Sequence, residues 1–112
     1  MKPLLLIVAL LALGIAPASA KTTYHCGYQG VKHMVIKKYV KDGNNIKDVG
    51  SVFDYKILDD NQSGLVFATG YINNIDSYGV IIFINKKNMS FTRHYIGTDG
   101  EQLKMTGQCR RE

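Results

Sequence analysis

The sequence has no tryptophan, two cysteines and two prolines, and both prolines lie within the first twenty residues. Two cysteines are too few for a thiolate metal centre, and no Cys/His cluster at tight spacing accompanies them. The G-x-S-x-G and H-E-x-x-H spacings are also absent, so no motif supports a nucleophilic or zinc hydrolase. We therefore expect neither a metal nor another cofactor.

Residues 1–20 have the composition of a secretory signal. A basic Lys2 precedes the apolar run Leu4–Leu13, and the small residues 18–20 suit a signal peptidase. The remaining residues 21–112 contain no apolar run near the ~20 residues that a transmembrane helix needs. The sequence thus predicts a secreted protein with one small domain over 21–112 and no membrane span.

The two cysteines lie near the two ends of that domain. Cys26 and Cys109 are 109 − 26 = 83 residues apart, and export to an oxidising compartment favours a disulfide between them. A bond closing so long a loop stabilises a domain by roughly 4–5 kcal/mol in the chain-entropy description. We predict that this bond joins the ends of the fold.

Turn signals divide the domain into strand-length segments. Without proline after residue 17, Gly and Asn/Asp clusters mark the turns, and β-branched and aromatic residues fill the intervals. The predicted strands are 49–58, 65–72, 78–84, 89–96 and 102–109. The 78–84 strand is apolar on both faces, which predicts that both are covered.

Residues 30–41 alternate poorly as a strand because Met34, Val35 and Ile36 are consecutive. Read as a helix, the segment gathers Val31, Met34, Val35 and Tyr39 into an apolar stripe. We therefore predict an α+β fold, with one short N-terminal helix packed on an antiparallel sheet of about five strands. The alternative is an all-β barrel.

Basic and aromatic residues are the candidates for contact with RNA or with a protein partner. Residues 21–112 carry 13 − 9 = +4 net charge, a modest excess that a solvated surface explains about as well as phosphate binding does. The candidate contact residues are Lys37, Lys38, Lys41, Lys86, Lys87, Arg93, His94 and Tyr95.

Two short patterns are interpreted as turns. Asp59, Asn61 and Ser63 before Gly64 resemble the start of a calcium loop, but the twelfth position is Gly70 rather than the bidentate Glu. Asn61 and Asn88 begin glycan acceptor patterns, which matter only in a eukaryotic source.

Tyr24-His25-Cys26 after the signal, the late Cys109 and the strand-rich segment from Val80 to Gly100 resemble the RNase-like secreted effectors of powdery-mildew fungi. That family is related in fold to the guanine-specific fungal ribonucleases. The resemblance implies a helix followed by a strand meander, a disulfide from the Y-x-C cysteine to the terminal one, and action inside or around a host plant cell.

The catalytic groups of those ribonucleases do not recur here. Residues 21–100 contain no Glu to act as the base, the histidine position falls on Tyr95 with His94 one residue away, and Ser77-Tyr78-Gly79 stand where the family has its arginine. We expect a non-enzymatic pseudo-ribonuclease: a secreted, monomeric effector, translocated into host cells, that binds a host protein or RNA to suppress defence.

Two other functions fit the same residues. A bacterial periplasmic inhibitor or binding module, similar in outline to inhibitors of animal-type lysozymes, would also pair an early Cys with a late one. An active ribonuclease with a rearranged site would need Asp54 or Asp76 as its base, together with His94.

Overall fold

The computed structural model describes residues 21–73 and 75–112, and these fold into a closed antiparallel barrel of eight strands in sequence order. The predicted signal at 1–20 lies outside the described residues. The strands are β1 Thr22–Gln29, β2 Met34–Asp42, β3 Asn45–Asp48, β4 Asp54–Asp60, β5 Gly64–Ile72, β6 Ser77–Asn85, β7 Ser90–Ile96 and β8 Gln102–Arg111. The described residues contain no helix. The predicted α+β fold is therefore wrong, and the alternative all-β barrel fits.

The error lies at 30–41, where the predicted helix is mostly strand β2. Its two faces are mixed rather than apolar and polar, because Lys37 and Lys41 share the inward face with the buried Tyr39. The outward face carries the exposed apolar Met34 and Ile36. Buried charges and an exposed apolar face hid the period-2 pattern, whereas the β-branched content correctly favoured a strand.

Four of the five predicted strands are confirmed as β5 to β8, with small shifts at their ends. The fifth, 49–58, is a strand only from Asp54, because 49–53 forms a turn in which Gly50 adopts φ 87°. Strands β1 and β3 were not predicted. In β6 the outward Ile81 and Phe83 are partly exposed, so the expectation that both faces are covered is wrong.

The disulfide Cys26–Cys109 is confirmed, and it lies at the seam where the last strand meets the first. Cys26 and Cys109 are direct register partners in the β1–β8 pairing. The bond therefore joins neighbouring strands, and at the same point it links the two ends of the chain.

The barrel has two chemically different ends. One end, which we call the apolar rim, consists of the loops 30–33, 49–53, 73–76 and 97–101. The opposite end, which we call the polar end, consists of the loops 43–44, 61–63 and 86–89 with the two ends of the described chain. Between them the lumen is filled by inward side chains, so the barrel has a packed core.

Candidate functional site

Aromatic rings fill the lumen. Tyr39 lies at the centre, with ring-centroid distances of 5.3 Å to Phe67, 6.0 Å to Tyr55 and 6.2 Å to Phe91. All four side chains are buried, and edge-to-face contacts such as Tyr39–Phe67 fix their positions. The lumen is therefore occupied by the protein itself.

The aromatic cluster continues from the centre to the apolar rim. Phe53 contacts Tyr55 and Tyr78, and Tyr78 in turn stacks on Tyr95 at 6.3 Å. Tyr71, next to the rim, is about half exposed and packs beside Tyr78. The mouth of the barrel at this end is thus lined with partly exposed aromatic rings.

Polar groups are buried among these rings. Asp48 is 1% exposed, and its Oδ2 pairs with Lys37 Nζ at 3.4 Å. Its second oxygen, Oδ1, has no hydrogen-bond partner among the described residues, and neither do the hydroxyls of Tyr39 and Tyr55 or Arg93 Nε. Unpaired buried polar atoms cost stability, so this cluster is the least satisfied part of the lumen.

The two central phenols are held neutral. Burial raises the pKa of Tyr39 far above its usual range, and the neighbouring Tyr55 and Asp48 add to the rise. Burial likewise raises the pKa of Tyr55 to about 12, although the positive charge of Arg93 opposes the rise.

At the polar end, two lysines converge on one carboxylate. Lys86 Nζ lies 2.5 Å from Asp60 Oδ1, and Lys41 Nζ binds the other oxygen, Oδ2. Burial alone would raise the pKa of Asp60, but the hydrogen bonds from the two lysines outweigh it and hold that pKa below its usual value.

A β-bulge directs Asp60 towards these lysines. Between β4 and β5 the register shifts at Ile57/Asp59, so Leu58 is the extra residue. Beyond the bulge, Asp60 pairs with the buried Leu65 and shares its inward face. Without the extra residue the alternation would turn Asp59 inward instead.

At the apolar rim, aliphatic side chains project into solvent from three successive loops or their strand ends. Val31 is 100% exposed, Val52 93%, Ile75 88% and Ile72 85%. Ile96 and Leu103, which flank the fourth loop, are 42% and 49% exposed. Among the residues that the structure describes, the loops of the polar end present no such side chain, and Leu58 near the end of β4 is 62% exposed.

The two ends also differ in charge. The four rim loops contain Lys32 against Asp76, Asp99 and Glu101, which gives 1 − 3 = −2. The three loops of the polar end contain only Lys86 and Lys87, which gives +2. The acidic groups sit together because Thr98 Oγ1 donates a hydrogen bond to Asp76 and so ties two of the rim loops.

The predicted contact residues do not form one surface. Lys41 and Lys86 meet at Asp60, whereas Lys37, Arg93 and Tyr95 lie on inward positions nearer the rim. Lys38 is exposed on the outer wall, Lys87 is exposed in the 86–89 loop, and His94 Nε2 is 3.1 Å from Gln102 Oε1. Three of the five lysines are thus ion-paired inside the barrel.

Sequence reasoning missed Asp48, Arg111 and the two central tyrosines. The helical interpretation of 30–41 placed Tyr39 on an apolar stripe rather than at the centre of a barrel. Because Asp48 lay outside every predicted strand, its pairing with Lys37 was not predicted. Asp60 falls between the predicted strands 49–58 and 65–72 and was not among the candidate residues. A signal that would have pointed to the two carboxylates is the inward alternation Val35, Lys37, Tyr39, Lys41, because lysines on an inward face require carboxylate partners inside the barrel.

The carboxylates considered for a rearranged ribonuclease are engaged elsewhere. Asp54 Oδ1 lies 3.6 Å from Lys47 Nζ, and Asp76 accepts a hydrogen bond from Thr98. The calcium-like segment is a turn, as expected, in which Asn61 Oδ1 accepts hydrogen bonds from the backbone N–H groups of Ser63 and Gly64.

No family model, curated protein or solved structure matches this chain. Among the described residues, no three His, Cys, Asp or Glu side chains group as ligands for a metal ion. Within the same ranges, no helix of sufficient length and apolarity to cross a membrane is found.

Proposed function

We propose that this protein is an exported, non-catalytic binding module that docks its apolar rim onto a basic surface of a protein partner. The observation that carries the proposal is the set of exposed aliphatic side chains at one end of the barrel, of which Val31, Val52 and Ile75 are 88–100% exposed. The loops that carry them all belong to one end of the barrel, and exposed apolar patches on small domains are typical of interaction sites.

The packed lumen supports action through a surface. Eight-stranded barrels either fill their interior with side chains or enclose one small ligand. Here Tyr39, Tyr55, Phe67 and Phe91 occupy the centre. A ligand carried inside the barrel would have to displace these rings, whereas a partner at the rim would not.

The composition of the rim suits a protein interface. Tyr71, Tyr78 and Tyr95 line the mouth behind the aliphatic tips, and tyrosine gives a large contact area with little loss of side-chain freedom on binding. The acidic Asp76, Asp99 and Glu101 stand beside them. With Lys32, the rim loops carry a net charge of −2 on a domain of +4, which would orient a basic partner towards this end.

Of the two non-enzymatic hypotheses from the sequence, we favour the inhibitor-like binding module. A basic protein would repel a uniformly basic inhibitor, but the acidic charge at the rim removes that objection. The all-β barrel also supports this class, whereas the helix implied by the resemblance to ribonuclease-like effectors is absent from the described residues. RNA contact is disfavoured because the candidate basic residues do not form one surface: Lys37 pairs with the buried Asp48, whereas Lys41 and Lys86 meet at Asp60 at the other end.

Site-specific photocrosslinking tests the proposal. A photoreactive amino acid replaces Val52 at the rim or Lys87 at the polar end, and each variant is produced in the source organism and irradiated in place. We expect a discrete crosslinked protein, basic in its own sequence, from position 52 and none from position 87. Crosslinking from position 87 alone, or from neither position, would overturn the proposal.

The captured partner is then purified and titrated with rim variants. The triple variant Val31→Ser/Val52→Ser/Ile75→Ser should bind at least about 100-fold more weakly, because interface cores depend on a few buried apolar anchors. The control Ile81→Ser/Phe83→Ser removes exposed apolar residues from the outer wall of β6, away from the rim, instead. Equal losses in the two variants would contradict a specific role for the rim.

A further inference from the structure

The polar end has an excess of positive charge around a cavity. The cavity has a volume of about 750 Å³ and is lined by Asp60, Asn61, Gln62, Lys86, Met89 and Arg111. Arg111 is the inward register partner of the buried Tyr24, which directs its side chain to this end of the lumen. Lys41 reaches the same place through Asp60.

The ion pairs leave this charge only partly neutralised. Lys41 and Lys86 share the single carboxylate of Asp60, and Arg111 makes no ion pair with any described residue. Three cations against one anion leave an excess of 3 − 1 = +2. The side chains of Lys86 and Asp60 are only 19% and 21% exposed, whereas Arg111 is exposed, so solvent screens the charge of Lys86 less than that of Arg111.

We propose that this cavity binds a small molecule through a phosphate group. Arg111 and Lys86 hold the phosphate oxygens, and Lys41 stays on Asp60 and keeps that carboxylate from repelling the ligand. The guanidinium of arginine presents paired N–H donors that match a phosphate, and the amide of Gln62 adds a further donor.

The charge and size of the cavity favour a phosphate ester. A phosphate monoester at neutral pH carries close to two negative charges, which balance the excess of +2, whereas a carboxylate carries one. The volume exceeds that of a lone phosphate ion, and Met89 offers an apolar wall for the rest of the molecule. This site is at the opposite end from the apolar rim, so the two proposals stand or fall separately.

The site is tested by titrating the protein with inorganic phosphate and, separately, with glucose 6-phosphate at low ionic strength and pH 7.5. Binding is measured by calorimetry and by amide chemical shifts. We expect saturable shifts in 60–63, 86–89 and 110–111 with both ligands. Tighter binding of the ester identifies a phosphorylated small molecule as the ligand class, and tighter binding of the free ion identifies inorganic phosphate. The absence of saturation up to about 50 mM of either ligand would overturn the proposal.

Four variants separate a binding site from a structural ion-pair network. Arg111→Gln and Lys86→Gln should each weaken binding about tenfold, since each removes a charged hydrogen-bond donor. Asp60→Asn should tighten it, because the competing carboxylate is lost. Lys47→Gln is the matched control, a 67% exposed lysine paired with Asp54, and should change nothing.

A purely structural network predicts different results. In that case Arg111→Gln, which changes an exposed side chain near the chain end, would bind phosphate as the wild type does, and Asp60→Asn would lower the melting temperature without any gain in affinity. Either result in a folded variant would contradict the proposal. Salt should weaken the binding of both ligands by the wild type, as ionic contacts require.

Discussion

The hydroxyl groups of Tyr39 and Tyr55 are buried in the centre of the barrel without hydrogen-bond partners among the described residues. Both phenols lie among aromatic rings, where a phenylalanine would pack as well. A buried polar group without a partner costs about 1–3 kcal/mol, and natural domains retain few such groups. The stability lost at Tyr39 is therefore open to recovery by substitution, whereas the guanidinium of Arg93 lies close to the hydroxyl of Tyr55.

The first prediction concerns Tyr39→Phe. Removal of its unpaired hydroxyl should raise the free energy of unfolding by about 1 kcal/mol at pH 7, since the desolvation cost disappears while the ring remains. Urea unfolding followed by circular dichroism measures the change. The control is Tyr71→Phe, whose exposed hydroxyl accepts a hydrogen bond from Asn73 Nδ2, and this substitution should give no gain.

The same substitution has a pH dependence with a definite sign. The pKa of Tyr39 is raised by burial, so the folded state retains this proton when the unfolded state loses it. Stability from this group is complete below pH 10 and falls as the pH rises above the ordinary tyrosine value near 10. Tyr39→Phe should therefore lose less stability than wild type between pH 10 and 12; equal losses would contradict the burial of an ionisable phenol here.

Among the elements, the seam between β1 and β8 is where the barrel closes, and its backbones approach very closely. A Cβ atom built on Gly107 would lie 1.8 Å from the carbonyl oxygen of Gly27, well inside contact distance. The clash is with backbone rather than with a flexible side chain, so it cannot be relieved by rotation. The seam therefore requires glycine at position 107.

Gly107→Ala is the corresponding prediction. The added methyl group should force β8 away from β1 and lower the free energy of unfolding by about 1–3 kcal/mol or more, as overpacking does. The matched control is Gly79→Ala in β6, where an added Cβ meets nothing within 4 Å. Comparable losses in the two variants, measured by urea unfolding, would contradict a specific close approach at the seam.

The strands that the sequence predicted well are those whose inward residues are mostly apolar. The strand from Gln102 has a polar outward face and carries Leu103, Met105 and Cys109 on its inward face, so its alternation was readable, and Asn/Gly turns marked most of its neighbours. Strand β2 was misread because its inward face carries Lys37 and Lys41 and its outward face carries Met34 and Ile36. Alternation of hydrophobicity fails where charges are buried and neutralised by partners that are distant in sequence.

At the scale of the whole molecule, the proposed role of a residue depends on which end of the barrel it occupies. That position can be assigned only once the closed strand order is known. The sequence contains the same aliphatic and charged residues, yet Val31, Val52 and Ile75 lie in separate segments, and only the meander brings their loops to one rim. Similarly, Lys41, Asp60 and Lys86 are 19 and 26 residues apart and meet only across the lumen. The spacing of residues within one segment of the sequence could therefore predict neither the apolar rim nor the cluster around Asp60.

The disulfide joins the first and last strands of the barrel, and the last prediction concerns its removal. Cys26 and Cys109 are 83 residues apart, so the bond closes almost the whole domain into one loop and restricts the unfolded chain. The double variant Cys26→Ala/Cys109→Ala should lose about 4–5 kcal/mol of unfolding free energy, a large part of the 5–15 kcal/mol typical of small domains.

The comparison that isolates the covalent link is wild type in a reducing buffer. Both samples lack the bond, but only the variant also lacks the buried sulfur atoms, so their difference reports packing and their shared loss reports the link. We expect the urea midpoint to fall in both samples and most of the fall to be shared. If the reduced wild type kept its midpoint, the β1–β8 pairing and the packed aromatic lumen alone would be holding the barrel closed.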